Sequence, residues 1–119
     1  MREFTIHNAT SYSNLPEIKS RLELEPMTLR EIIVRYNPSK GLPPEEEIDQ
    51  WPVKMIFLDS QGKFVIFRIW SLNVGYRGTG PSDFEELLKF FNIKYDPDDI
   101  YTKQRADDTG YIYLQYNVE

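Results

Sequence analysis

From Val53 to Trp70 apolar residues dominate, and the run is broken once, by Asp59-Ser60-Gln61-Gly62. Two β-rich segments around such a turn predict an antiparallel hairpin, with Gly62 available for a left-handed backbone. Val53, Met55 and Phe57 alternate onto one side of the first strand. Val65, Phe67 and Ile69 form one side of the second, and Phe64, Ile66, Arg68 and Trp70 form the other. Both sides are largely apolar, so the hairpin is expected at the centre of a sheet, covered on both faces. Arg68 interrupts that pattern. A buried guanidinium without a partner is costly, so Arg68 is expected to reach solvent or an acid.

Weaker alternation in Arg2 to Asn8 predicts a first strand near an edge, and residues 9–17 read as a loop. Residues 18–26 read as a short strand ending before Pro26. The segment Met27 to Tyr36 fits strand or helix by spacing. Its β-branched cluster Ile32, Ile33 and Val34 favours a strand, with Leu29, Glu31, Ile33 and Arg35 on one side and Arg30, Ile32, Val34 and Tyr36 on the other. Phe84, Leu87, Leu88 and Phe91 recur at helical spacing and predict a main helix over about 82–91. Ser82 and Glu85 have capping-box spacing, Asp83, Glu85 and Glu86 occupy the expected first turn, and Asn92 is the expected stop. A second short helix is expected from Asp99 to about Arg105. Residues 111–118 close the chain as a strand, with Ile112, Leu114, Tyr116 and Val118 opposite Tyr111, Tyr113, Gln115 and Asn117.

These elements predict an α+β domain spanning 1–119: a mixed or antiparallel sheet of four to six strands packed on the main helix. A proline-rich acidic loop at 37–50 decorates one end, and its prolines argue against regular structure there. The chain's 119 residues suffice for a core without metal or disulfide staples. Cysteine is absent, which fits a reducing, cytoplasmic setting. No apolar run approaches the length of about 18 residues that a membrane span needs, and the start lacks a signal-peptide pattern.

Formal net charge is −5, and the lysines and arginines are scattered, which argues against a duplex-binding face. The acids cluster instead. Glu45, Glu46, Glu47 and Asp49 lie in the proline-rich loop, and Asp96, Asp98 and Asp99 follow the main helix. They read as solvated loops or as an acidic docking surface for a basic partner. Tyr111 and Tyr113 add an aromatic patch suited to protein contact. Base stacking there requires a positive groove, and only Lys103 and Arg105 are near in sequence.

Three glycines, Gly75, Gly78 and Gly80, precede the main helix. Their spacing matches neither the dinucleotide fingerprint nor the P-loop. The strand–turn–helix context still offers backbone N–H groups, so an anion site formed by Arg68, Gly75, Arg77, Gly78, Thr79 and Gly80 competes with a purely structural corner. The stretch from Gly75 to about Leu88 resembles the Gly-Tyr-x-Gly-Ser/Thr-Gly-Pro turn and helix of small uncharacterised phage and plasmid proteins. That resemblance implies a mobile-element accessory protein and carries over no catalytic residues.

His7 is the sole histidine, which excludes the usual Cys/His zinc clusters and Cys-His chemistry. Asp59, Asp107 and Asp108 suit turns better than a metal site. No catalytic residue and no cofactor is assigned. The leading expectation is an acidic protein-binding module, an inhibitor or accessory protein. The alternatives are a phosphate or small-ligand binder, enzymatic or not, at Arg68 and Arg77, and a structural subunit of a phage or other assembly.

Overall fold

The computed structural model describes residues 2–7 and 14–118. The fold is α+β: a mixed, mostly antiparallel five-stranded sheet packed against helices. In chain order the elements are β1 (Arg2–Ile6), α1 (Asn14–Leu24), β2 (Thr28–Tyr36), a 3-10 turn (Ile48–Gln50), β3 (Val53–Leu58), β4 (Phe64–Ile69), α2 (Thr79–Phe90), α3 (Pro97–Tyr101) and β5 (Ile112–Asn117). The strands lie in the order β1-β4-β3-β2-β5. Among the described strands only the β1–β4 pair is parallel.

The hairpin forms as its alternation predicts. Val53, Met55 and Phe57 lie opposite Ile69, Phe67 and Val65. In its turn, Asp59 Oδ1 accepts hydrogen bonds from the backbone N–H groups of Gln61 and Lys63, and Gly62 has φ 77°. The neighbouring strands add Ile32, Val34, Tyr36, Ile112 and Leu114 to the same face, and Ile6 joins from β1. Against it pack Ile18 of α1, Phe84, Leu87 and Leu88 of α2, and Ile100 of α3, all fully buried.

Leu29 also joins this core, although simple alternation assigns it to the opposite side. The pairing of β2 with β3 shifts register between Leu29 and Glu31, so one extra residue restores Leu29 to the buried face. Among the described residues, α-helices cover only this face of the sheet. The expectation of cover on both sides therefore fails for half of the second face, which is treated below.

Three helical assignments change. Residues 18–24 are helical, not a strand, and α1 begins already at Asn14, inside the expected loop; residues 9–13 of that loop lie outside the described residues. Leu15, Ile18 and Leu22 share one helical stripe, and Pro16 sits in the first turn, where no intrahelical donor is required. The main helix runs Thr79–Phe90, not 82–91. Gly78 stands before it without a side-chain cap, so Ser82 is inside the helix and no acid lies in the first turn. At its end Asn92 has φ 56°, and the N–H of Ile93 reaches the Leu88 carbonyl, a left-handed stop. The last helix is Pro97–Tyr101, earlier and shorter than Asp99 to Arg105. Asp96 caps it by accepting from the Asp98 N–H, with Pro97 at its first position.

Candidate functional site

The glycine stretch closes into a packed corner. Gly75 has φ 96°, and a Cβ there would lie 2.5 Å from Pro38 Cγ and 2.6 Å from Ile112 Cδ1. Its N–H donates to the Ile100 carbonyl at 2.7 Å. At Gly80 a Cβ would meet Asn73 Oδ1 at 2.0 Å. That buried amide oxygen accepts from the Tyr76 hydroxyl at 2.8 Å. A Cβ at Gly78 would meet the Tyr76 ring at 2.6 Å. Backbone angle and close packing thus account for all three glycines. Arg68 and Arg77 have no partner in common among the described residues. Arg68 pairs with Glu3 at 3.5 Å and Asp49 at 3.6 Å, whereas Arg77 lies over the Tyr101 ring of α3.

The second face of the sheet carries Glu3, Lys54, Ile56, Phe64, Ile66, Arg68, Glu31, Ile33, Arg35, Tyr113, Gln115 and Asn117, as the strand registers require. One end of it is roofed by the loop 37–50. Buried or half-buried indoles need acceptors for their N–H groups, and two of them find acceptors on this loop. Trp70 Nε1 donates to the Pro43 carbonyl at 2.9 Å, and Trp51 Nε1 to the Glu45 carbonyl at 3.2 Å. His7 lies tilted against Trp70, with ring centres 4.7 Å apart, and its Nε2 lies 3.1 Å from Glu45 Oε1. Asp49 reaches Arg68, and the Gln50 side chain accepts from Arg35 at 2.8 Å.

Several of the clustered acids are therefore engaged within the chain. Glu45 and Asp49 face His7 and Arg68. Asp96 caps α3. Asp99 pairs with Arg105 at 2.9 Å and accepts from Gln104; burial opposes its charge, but those two bonds win and hold its carboxyl below the usual range. Among the described residues no ion pair engages Glu46, Glu47 or Asp98, and all three are exposed.

The opposite end of the second face is open and apolar. Ile56, Phe64, Ile66 and Val118 line a shallow basin of about 540 Å³, bordered by Arg30, Glu31 and Asn117. Phe64 is 51% exposed, an unusual cost for a phenylalanine on a strand.

Tyr111 and Tyr113 project from this same face, beside the roofed end, with rings 6.2 Å apart. The Arg35 guanidinium lies 4.3 Å from the Tyr111 ring centre and the Lys40 ammonium 5.1 Å from it. Sequence reasoning looked for cations near the tyrosines and found Lys103 and Arg105. Arg105 is committed to Asp99, and the cations that arrive come from β2 and its following turn. Alternation does put Arg35 on the second face; the pairing of β2 with β5 that brings it to Tyr113 has no local signal.

Asp59 and Asp107 each bind the N–H groups of their own turns, and among the described residues no three metal-ligating side chains converge. No described helix is long and apolar enough to cross a membrane. No family model, curated protein or solved structure matches the chain.

Proposed function

We propose that this chain is a small acidic protein-binding module, an inhibitor or accessory protein acting on a macromolecular partner. The observation that carries the reading is the helix-free half of the sheet, where exposed Phe64 stands over a shallow apolar basin lined by Ile56, Ile66 and Val118. Burying such a surface supplies about 25 cal/mol per Å² of apolar area. The acidic loop, with exposed Glu46 and Glu47, roofs the other end of the same face. The occupant that fits is a protein with an apolar ridge bordered by lysine and arginine. Acidic groups at the far end of the same face would steer such a partner and fix its orientation. The likeness of Gly75–Leu88 to the turn and helix of small phage and plasmid proteins supports a mobile-element setting for that role.

The test is capture from native lysate by wild type, by Phe64→Asp and by Glu46→Gln/Glu47→Gln, each checked for wild-type circular dichroism. The reading expects a basic protein retained by wild type, lost on Phe64→Asp, and eluted at lower salt from the charge variant. Equal retention of every captured protein by all three baits overturns it.

A further inference from the structure

A second feature lies at the roofed end of the same sheet face, away from the apolar basin. The loop 37–50, β2 and the segment before β5 enclose a cleft of about 210 Å³, lined by Arg35, Lys40, Pro43, Glu47, Gln50 and Tyr111 among others. Two cations line this cleft and each lies over the Tyr111 ring, and neither is in an ion pair among the described residues. Gln50 takes one Arg35 N–H and the Tyr113 and Tyr111 side chains engage the same guanidinium, which leaves only the remaining donors of the fork available.

The cleft is built, not incidental. Asn37 is 4% exposed and holds both walls. Its amide donates to the Thr109 carbonyl at 3.1 Å, and its Oδ1 accepts from the Ser39 N–H at 2.9 Å. The N–H groups of Lys40 and Gly41 both donate to the Asn37 carbonyl. This turn sets Lys40 opposite Tyr111, and the Trp70 bond to Pro43 fixes the far side of the loop.

We infer that this cleft binds a terminal phosphate, held between the Arg35 guanidinium and the Lys40 ammonium. Arginine supplies paired, directional donors to a phosphate and lysine a mobile point charge. The volume is below the roughly 300–1,000 Å³ usual for drug-sized ligands, so the ligand is inorganic phosphate or a compact phosphomonoester. Glu47 at the cleft lining opposes the anion and sets a limit on its affinity.

Amide NMR titration of the full chain with inorganic phosphate, adenosine 5′-monophosphate and adenosine tests this. Saturable shifts at Lys40, Gly41 and Tyr111 are expected with the phosphate-bearing probes and not with adenosine. Tighter binding of the monophosphate assigns a phosphomonoester, and equal binding assigns the free anion. Lys40→Gln, in an exposed turn, should weaken binding about tenfold or more. Glu47→Gln should leave it equal or tighter. Absence of saturable shifts with both phosphate probes, adenosine binding as well as its monophosphate, or undiminished binding by Lys40→Gln would each overturn the assignment.

Discussion

At the scale of single residues, the corner before α2 depends on missing side chains. Gly75→Ala forces a Cβ into contact with Pro38 and Ile112 while holding φ at 96°. Strain and overpacking each cost on the order of 1–3 kcal/mol. The Gly62 turn also has positive φ but open space around it. Gly75→Ala is expected to lower the melting temperature well below that of Gly62→Ala, and equal melts would show that the corner relaxes freely. Tyr116 is the converse case. Burial pushes its hydroxyl up to about 12, and that oxygen has no hydrogen-bond partner among the described residues. Removing a buried hydroxyl that makes no bond relieves its desolvation cost. Tyr116→Phe is expected to be neutral or to stabilise by about 1 kcal/mol in denaturant unfolding; a loss of 1 kcal/mol or more would reveal a bond to that oxygen.

Among the elements, α1 and α2, with Ile100 of α3, supply the stripe that closes the core on one side of the sheet. Leu87, Leu88 and Ile18 are fully buried, and alanine at any of them is expected to cost about 2–5 kcal/mol. Thermal melts of Leu87→Ala and Leu88→Ala measure the main helix. Ile18→Ala measures α1, and its loss of stability separates a packed helix from a loosely attached segment. The spacing of Phe84, Leu87 and Leu88 made α2 legible, yet its start was misplaced by one turn. Ser82 with Glu85 imitates a capping box, but Pro81 and Gly80 are accommodated inside the first turn, where no i−4 donor is needed. The stripe of α1 was overlooked because Pro16 and the polar residues before it have the composition of a loop.

Across the whole molecule, turns are held by carboxylates that must stay ionised. The Lys63 and Gln61 N–H groups, with Arg2, hold the Asp59 carboxyl below its usual range. The Thr109 hydroxyl and the surrounding N–H groups do the same for Asp107. Both pKa values are depressed in the folded state. Their stabilisation is therefore complete above the ordinary aspartate value and disappears as pH falls through the depressed one. Stability is expected to be flat from neutral pH down to about pH 5 and to fall below about pH 4. Asp107→Asn should show a smaller loss of melting temperature between those limits than wild type. An unchanged acid limb in that variant would exclude Asp107 from the effect.

The sequence alone determined the elements whose signals are local. Alternation set the hairpin faces and the last strand, helical spacing set α2, and a glycine or asparagine marked the Gly62 turn and the Asn92 stop. Those signals are legible because neighbouring residues share one backbone geometry, so their pattern survives without tertiary context. Tertiary structure decided which face stayed bare and which charges met. The hairpin's second side is also largely apolar, Lys54 and Arg68 apart, but the described helices cover only the first. Arg35 and Lys40 reach Tyr111 only because β2 pairs with β5 across more than seventy residues of chain. Strand pairing is a long-range choice, made by burial of the whole sheet, and no short stretch of sequence encodes it.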